Sequence, residues 1–415
     1  MDRENELYLV SVLASLGTDA LLDAVGLSTA PRTRSQVHVQ ALDRPGIHPV
    51  GIVHVTNGSE KASLFAKAQR ADYHGAQNLE REFNFLSEIG PRITGENRAL
   101  RSPKPIAYYP ERGLLLMEFV SGDSLKKHLF DFGSGINPTS NASLAQLLKS
   151  TGRWLGALHR LTQQETSGNP LEWLLGSFES KRIREIFEKY SEKGQYQEIL
   201  SVLRRCAELK PHFRRRLCGV HGEFTPIHVI VGKDGIYVVD YGNTKTGYVY
   251  EDLGLFDSFY DCLLPWRSIA GTIRVRISRQ KELFHHGYFE QAPLAFNDAD
   301  LTIMSWVRLL SLARILEGNE RRYSGLGKWA YSHVALLSLR NKFVSRCRAE
   351  LAALRNIQLD IFDKDPQPLR KCSCAACGRP VRAQMETIES EASPGTLCSC
   401  TTFPSQLPSL TSGTK

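Results

Sequence analysis

The chain has 415 residues, of which 42% are hydrophobic and 23% charged, and its formal net charge is +8. These values are ordinary for a soluble globular protein, and the length is sufficient for two lobes with sizeable cores. The mild positive charge suits anionic ligands but does not indicate specific nucleic-acid binding. No apolar run is expected to reach the length of a membrane span, and the acidic, short N-terminal lead argues against a secretory signal.

The cysteines divide into two groups. Of nine in total, Cys206, Cys218, Cys262 and Cys347 are scattered singly along the chain, and the others lie in the C-terminal tail. An odd number of mostly isolated cysteines predicts free thiols in a reducing compartment. We therefore expect a cytoplasmic protein.

The N-terminal part predicts a helical extension followed by a β-rich unit. Residues 5–26 have the spacing of one or two short amphipathic helices. From Gln36 the hydrophobic period changes to two, and three β-like segments are separated by the turn residues of 43–46 and 57–59. This pattern indicates an antiparallel meander.

Two charged residues follow in or near apolar segments. Lys67 lies in the third β-like segment between alanines, where it is either a functional group or a charge that keeps an edge strand soluble. Glu82 lies beside the apolar stripe of a predicted helix over 76–89, and on its own it is better explained as a solvated surface residue. A buried strand over 114–120 then ends at a break, which predicts a hinge near 118–123.

The second half of the chain is predicted to be mainly helical. Helical spacing of apolar residues occurs in 144–161, 171–208, 252–263, 298–317 and 327–356. No internal repeat is apparent.

A predicted hairpin interrupts these helices and organises the chain around itself. Two β-branched runs, 229–231 and 236–239, flank an Asp-Gly turn. Glu223 and His228 precede the first strand and Asp240 follows the second, so a hairpin would bring all three to one end. Asp240 alone could be a turn residue, but the combined pattern predicts a site.

The composition changes at about residue 364 to a tail rich in Ser, Thr, Pro and Cys. Two close cysteine pairs, Cys374/Cys377 and Cys398/Cys400, approach the spacing of a zinc ribbon. The alternative is a disordered tail with incidental thiols.

These motifs resemble, in the same order, those of the aminoglycoside phosphotransferase and choline-kinase-like family, a branch of the protein-kinase superfold. HGEFTPIH and VVDYG resemble the catalytic loop and the metal-binding Asp of that family. FAKA resembles its lysine strand, EREFNFL its glutamate-bearing helix, and LLLMEFVSGDSL its interlobe hinge. The resemblance covers roughly 36–320. It implies an α+β, protein-kinase-like two-lobed fold with a small antiparallel β-rich N-lobe and a larger, mainly helical C-lobe.

The resemblance also implies a division of the chain. The extension would be 1–34, the nucleotide-binding N-lobe 35–120, the catalytic and acceptor-binding C-lobe 121–363, and the tail, zinc-binding or disordered, 364–415.

The resemblance assigns a role to each site residue. Contacts to ATP would come from Lys67, Glu82, Met117, Glu118 and Val120. Glu223 would accept the proton of the acceptor hydroxyl, His228 and Asp240 would bind Mg²⁺ or Mn²⁺, and His221 and Asp252 would support the catalytic loop. The turn over the phosphates is expected at 57–59, where a single glycine makes a poor cradle.

The implied function is an ATP-dependent small-molecule kinase that phosphorylates a hydroxyl of an aminoglycoside, sugar or related metabolite. Glu223 and His228 stand where the family pattern has Asp and Asn, and these departures favour an alternative, a nucleotide-binding pseudokinase or scaffold. A third possibility is an interaction protein that works through its cysteine tail. Asp257 and Asp261 either line an acidic acceptor pocket or are helix-surface acids. The acceptor and the oligomeric state stay open.

Overall fold

Five strands near the N-terminus form one antiparallel sheet, and most of the later chain is helical. The computed structural model describes residues 3–27, 35–42, 48–70, 77–134, 141–263, 271–292, 296–323, 329–355, 361–362, 371–373 and 380–382. The helices in these ranges are α1 Arg3–Ala24, α2 Gln77–Glu88, α3 Gly90–Glu96, α4 Leu125–Ser134, α5 Asn141–Leu161, α6 Pro170–Glu179, α7 Lys181–Tyr190, α8 Gln195–Leu209, α9 Val249–Leu263, α10 Gly271–Gln291, α11 Asp298–Tyr323 and α12 Trp329–Arg355. The strands are β1 Ser35–Ala41, β2 Val50–Asn57, β3 Glu60–Ala68, β4 Leu100–Arg101, β5 Pro105–Tyr109, β6 Leu114–Glu118, β7 Asp123–Ser124, β8 Ser167–Gly168, β9 Arg215–Arg216, β10 Cys218–Val220, β11 Val229–Gly232, β12 Gly235–Val238, β13 Lys245–Gly247, β14 Lys371–Ser373 and β15 Pro380–Arg382.

The N-lobe sheet has the strand order β1-β2-β3-β6-β5, and the predicted meander is confirmed. Because side chains alternate along a strand, Leu64, Ala66 and Ala68 of β3 face one side and pack with α1. Lys67 therefore points to the opposite side, towards the C-lobe. The meander thus gives Lys67 its direction as well as its position.

Helix α1 covers the outer face of this sheet. Its buried leucines, Leu9, Leu13, Leu21 and Leu22, belong to the same apolar cluster as the strands. The helix is interrupted at Gly17, whose φ of 79° lies in the left-handed region, so the extension is two helical segments in sequence. By length and composition alone, Glu4–Ala24 is apolar enough to cross a membrane, so the expectation that no segment reaches that length was wrong. In this structure the buried leucines of the helix pack against the sheet.

The C-lobe core is built around the crossing of α5 and α10. At Gly152 an added Cβ would lie 2.0 Å from the Phe284 carbonyl oxygen, and at Gly287 it would lie 2.1 Å from the Lys149 carbonyl oxygen. Glycine on both helices therefore allows the two backbones to touch. The sequence did not predict α10, because its first residues alternate Ile, Arg and Val in a strand-like pattern.

The predicted hairpin is present as β11 and β12, with Val229 opposite Val238. It lies in a small sheet of order β4-β12-β11-β7 between the two lobes. The loop before β11 and the residues after β12 therefore meet at one end of the hairpin.

Little of the tail is described. Lys371–Ser373 pairs with Pro380–Arg382. The four candidate zinc ligands, Cys374, Cys377, Cys398 and Cys400, lie outside the described residues, so zinc binding stays a prediction.

Candidate active site

A buried lysine connects three elements at the cleft between the lobes. Lys67 Nζ, from β3, donates to Glu82 Oε2 of α2 at 2.7 Å and to Asp240 Oδ1, after β12, at 2.7 Å. Glu82 also accepts a hydrogen bond from the Tyr241 backbone N–H through Oε1 at 3.1 Å. Lys67, Glu82 and Asp240, to which the family resemblance assigns roles at the nucleotide and its metal, are thus in direct contact.

The three charges determine each other's protonation. Burial alone would lower the pKa of the Lys67 ammonium, but Glu82 and Asp240 more than offset this and raise it. Burial would raise the pKa of the Asp240 carboxyl, but Lys67 holds it below its ordinary value. Burial raises the pKa of Glu82 despite Lys67. Lysine and Asp240 therefore both stay charged near neutral pH, as a site for phosphate and metal requires.

Asp240 is held in an uncommon backbone conformation. Its φ of 70° makes it the one non-glycine residue with positive φ among those the structure describes. Asp tolerates the left-handed region better than most residues, and such conformations cluster at functional sites. The turn directs Oδ1 towards Lys67 and leaves Oδ2 on the side of the catalytic loop.

The loop of residues 221–228, which resembles the family's catalytic loop, is hydrogen-bonded to Asp252 at the start of α9. The buried carboxylate of Asp252 accepts from the backbone N–H of His221 at 2.7 Å and of Gly222 at 2.9 Å. Burial would raise the pKa of Asp252, but the hydrogen bond from His159 and the nearby histidines keep it low. Asp252 thus hydrogen-bonds to the first residues of the loop, where the resemblance assigns it a supporting role.

A second layer holds Asp252 itself, and the sequence analysis did not find it. His159 of α5 places Nε2 3.2 Å from Asp252 Oδ2 and Nδ1 3.0 Å from the Tyr288 hydroxyl of α10. All three side chains are buried. The only sequence signal was a histidine on the apolar face of α5.

His221 is fully occupied by backbone groups. Its Nε2 donates to the Val239 carbonyl at 3.1 Å, and its Nδ1 accepts from the Glu223 N–H at 3.3 Å. Burial lowers the pKa of His221 to about 4, so the ring is neutral. It connects the catalytic loop to the strand that ends at Asp240, in agreement with a supporting role.

Glu223, His228 and Asp240 form a cluster of candidate metal ligands. One ligand atom from each lies within 4.8 Å of the others. His228 Nε2 is 3.6 Å from Asp240 Oδ2, and Glu223 lies at the exposed rim. Desolvation raises the pKa of Glu223 even at this rim, and the nearby Asp240 adds to this, whereas His228 and Lys67 oppose it only in part. The donor set, two carboxylates and an imidazole, fits a divalent cation.

The hinge residues Met117 and Glu118 lie at the end of β6, but the backbone N–H of Glu118 is already hydrogen-bonded within the protein. Met117 is on the cleft face of β6, opposite Phe65 of β3. The Glu118 N–H already donates to the Lys104 carbonyl at 2.8 Å, and the Glu118 carboxylate accepts from the Lys104 N–H at 3.0 Å. A backbone N–H for a nucleotide base would therefore come from beyond Glu118, towards Val120.

The turn over the phosphates was assigned to the wrong connection. Asn57 pairs with Glu60 at the far end of β3, whereas Val50 pairs with Lys67. The connection beside Lys67 is therefore 42–49, of which 43–47 lie outside the described residues. His48 in this connection hydrogen-bonds to the Ala68 backbone, and burial and Lys67 lower its pKa to about 4.

Asp257 is neither a pocket residue nor a surface acid. It is fully buried in α9, with Oδ1 2.9 Å from His285 Nε2 of α10 and an ion pair to Arg308 of α11. Its carboxylate is paired with side chains of two neighbouring helices and is not available to a ligand or to solvent. Both expectations, an acceptor-pocket residue and a helix-surface acid, were therefore wrong. The side chain of Asp261 lies outside the described part of the chain.

The two-lobed fold and the cleft residues define a protein-kinase-like phosphotransferase. The profile of the phosphotransferase enzyme family, APH, matches residues 52–271, more than half of the chain. The chain therefore belongs to this family, as the sequence motifs predicted. No curated protein sequence matches it.

Several solved structures are similar to this chain, and one of them, with a TM-score above 0.5, supports the fold. A Ralstonia eutropha protein assigned to the aminoglycoside phosphotransferases is 14% identical with a TM-score of 0.51, covering 80% of this chain and 97% of its own. Choline kinase of Cryptosporidium parvum is 12% identical with a TM-score of 0.49, covering 79% of this chain and 93% of its own. Ethanolamine kinase of Plasmodium vivax is 12% identical with a TM-score of 0.47, covering 81% and 89%. At 14% identity the likeness to the Ralstonia eutropha protein concerns the fold and not the substrate.

Proposed function

We propose that this phosphotransferase uses ATP and a divalent cation to phosphorylate a hydroxyl group of a small molecule. The observation that supports it best is Lys67, held by Glu82 and facing Asp240, with Glu223 next to Asp240 on the open side. Phosphoryl transfer depends mainly on positioning and charge neutralisation, and these groups are suited to both.

The nucleotide would lie between the lobes. Lys67 presents a permanent positive charge to phosphate oxygens, and Glu82 keeps that ammonium in place. Asp240 Oδ2 and His228 Nε2 would hold the cation, which supplies charge neutralisation at the phosphates. Met117 would form part of the apolar wall for the base, Val120 would offer a backbone contact, and His48 would lie in the roof near the phosphates.

The acceptor would approach from the exposed side of the catalytic loop. Glu223 is the carboxylate at this rim, and its raised pKa makes it a better proton acceptor than an ordinary surface glutamate. The family pattern has Asp at this position, and the Glu223 side chain is longer by one methylene. The acceptor oxygen therefore has to lie correspondingly further from the loop backbone. His221 and Asp252 fix that backbone.

The acceptor class, the division of the chain and the location are proposed by analogy with the family. We propose an aminoglycoside, sugar or related hydroxylated metabolite as acceptor, 35–120 as the nucleotide-binding part and 121–363 as the catalytic part. The buried free cysteines Cys206, Cys218 and Cys347 support a cytoplasmic location.

A pseudokinase is the second candidate, and one distance favours it. His228 Nε2 lies 3.6 Å from Asp240 Oδ2, where a protonated imidazole would pair with the carboxylate and occupy the position of a cation. Such a protein would bind nucleotide weakly or without metal, and would not transfer phosphate.

Thermal unfolding with ATP, ADP and GTP, each with Mg²⁺, Mn²⁺ or EDTA, tests the site. Saturating nucleotide at 100 times its Kd stabilises the folded state by about 2.7 kcal/mol. We expect metal-dependent stabilisation that is lost in Asp240→Asn. Asp234→Asn, at the exposed turn of the same hairpin, is the matched control and keeps it. Nucleotide stabilisation that is equal in wild type and Asp240→Asn would contradict the proposed site.

A further inference from the structure

The hydrogen bonding of His228 fixes which of its nitrogens faces the cleft. Its Nδ1 lies 2.8 Å from the backbone carbonyl oxygen of Glu223, which can only accept, so Nδ1 carries the hydrogen. Histidines that ligate metals commonly donate their other ring N–H to a carbonyl or carboxylate in this way. In the neutral ring, Nε2 then carries a lone pair.

That lone pair faces the unused oxygen of Asp240. Asp240 Oδ1 is held by Lys67 at 2.7 Å, whereas Oδ2 is the oxygen 3.6 Å from His228 Nε2. Two acceptor atoms facing each other at this distance are stabilised by a cation between them. The carboxylate of Glu223 is within 4.8 Å of both.

The neighbouring histidine supports the ring without competing for the cation. His221 stacks on His228 with ring centroids 6.0 Å apart and planes inclined by 18°. Both nitrogens of His221 are engaged by backbone groups, so it cannot itself be a ligand. Its ring lies nearly parallel to that of His228, which agrees with the orientation that directs His228 Nε2 to Asp240.

We propose that His228 is a direct metal ligand through Nε2, and that the resulting nitrogen–oxygen site prefers manganese-type divalent ions to Mg²⁺. Mg²⁺ favours an all-oxygen shell, whereas imidazole suits transition metals. This inference rests on the proposed function, because the phosphates of the nucleotide complete the shell. The inference goes beyond that function in one respect: His228 of this chain replaces the Asn whose side-chain amide is the metal ligand in the family pattern.

Pulsed electron paramagnetic resonance of the full-length protein with Mn²⁺ and ADP separates the two proposals. A ³¹P coupling reports that the ion is bound to the nucleotide phosphates, and a ¹⁴N coupling of imidazole type reports the histidine. We expect both in wild type, with the ¹⁴N coupling lost and the ³¹P coupling kept in His228→Asn. His286→Asn, a half-exposed histidine of α10 paired with Glu290, is the control and should retain both.

The outcomes that overturn the inference are distinct from those that overturn the function. A ³¹P coupling without ¹⁴N in wild type, or a ¹⁴N coupling that survives in His228→Asn, refutes the nitrogen ligand and leaves the kinase proposal intact. A ¹⁴N coupling without ³¹P coupling in wild type refutes the nucleotide site and keeps the nitrogen ligand, whereas absence of both couplings refutes both proposals.

Metal competition gives a second, independent measurement. The ratio of Mn²⁺ to Mg²⁺ affinity, measured with ADP by displacement of bound Mn²⁺, should fall on the order of tenfold in His228→Asn, because an amide oxygen replaces the nitrogen. An unchanged ratio refutes the preference. Thermal unfolding of each variant without ligand establishes that the comparison is between folded proteins.

Discussion

Lys67 Nζ of the N-lobe lies 2.7 Å from Asp240 Oδ1 of the C-lobe, and the same ammonium is 2.7 Å from Glu82 Oε2. The two carboxylates are not equivalent. The side chain of Glu82 is 1% exposed, whereas that of Asp240 is 41% exposed. Among the residues that the structure describes, Lys67 is the one ion-pair partner of the buried Glu82, while Asp240 can also be stabilised by solvent or a cation.

This asymmetry predicts different costs for removing either end of the pair. Lys67→Ala leaves Glu82 buried without its cation, and breaking a buried pair in this way costs about 3–5 kcal/mol of unfolding free energy. Asp240→Ala should cost clearly less, because Glu82 still partners Lys67. Chemical denaturation of both variants without nucleotide measures the difference.

The double variant Lys67→Ala/Glu82→Gln provides the control. Since it removes the stranded charge, it should recover part of the loss of Lys67→Ala. If Lys67→Ala and Asp240→Ala lower the unfolding free energy equally, the buried Lys67–Glu82 pair does not contribute the expected extra stability.

The support of the catalytic loop predicts a separation of binding from turnover. Asp252→Asn replaces a charged acceptor of the His221 and Gly222 N–H groups by a neutral amide, and loosens the loop that carries Glu223. We expect kcat to fall by about a hundredfold, the effect of a misplacement of about 1 Å, while the Kd for ADP changes little. A parallel loss of ADP affinity would show that Asp252 acts on the whole fold instead.

Much of this site could be predicted because its residues lie within short segments of clear pattern. The alternation in β3 singled out Lys67, and the Asp-Gly turn predicted the hairpin that brings His228 and Asp240 together. Both are local signals of period and turn chemistry.

What the sequence could not give is the relation between distant segments. Which of the two connections of the meander borders Lys67 depends on strand direction in the folded sheet. The turn over the phosphates was therefore expected at 57–59, although the connection beside Lys67 is 42–49. The contacts of His159 with Asp252 and Tyr288 join α5, α9 and α10, and α10 itself has no clear helical period at its start. The burial of Asp257 likewise exists only after three helices have packed.

Asp257 predicts a pH dependence of stability. Burial alone would raise the pKa of its carboxyl, but His285 and Arg308 hold it below its ordinary value. A carboxyl with a lowered pKa in the folded state contributes stability above its unfolded pKa of about 3.9, and this is lost as the pH falls.

The wild-type unfolding free energy should therefore decrease below about pH 5, and less steeply in Asp257→Asn. Urea titrations from pH 7 to pH 3 measure both slopes. Equal slopes in the two proteins would mean that Asp257 does not titrate between the folded and unfolded states.

The tail predicts a metal that is independent of the active site. Protein purified without chelator should carry about one zinc ion per chain, as a ribbon of two cysteine pairs binds. The double variant Cys374→Ser/Cys377→Ser should lose the zinc, and removal of 364–415 should leave nucleotide stabilisation unchanged, because the family match ends at residue 271. Elemental analysis without zinc in the wild type would count against the ribbon.

Glu223 decides between a retuned kinase and a pseudokinase. It keeps a carboxylate where a proton acceptor is needed, and desolvation raises its pKa, so it is more basic than an ordinary glutamate. Glu223→Gln should lower the rate of phosphate transfer by a factor of about 10² to 10⁴, the usual contribution of a general base, without weakening ADP binding. Glu223→Asp, the residue of the family pattern, is the matched control and should retain measurable turnover.

The measurement is transfer from labelled ATP to a panel of aminoglycosides, sugars and amino alcohols with Mg²⁺ and with Mn²⁺, alongside ADP-dependent thermal shifts of each variant. Equal residual rates for wild type and Glu223→Gln under both metals, with ADP still bound, would exclude catalysis by this carboxylate and leave the pseudokinase as the better account.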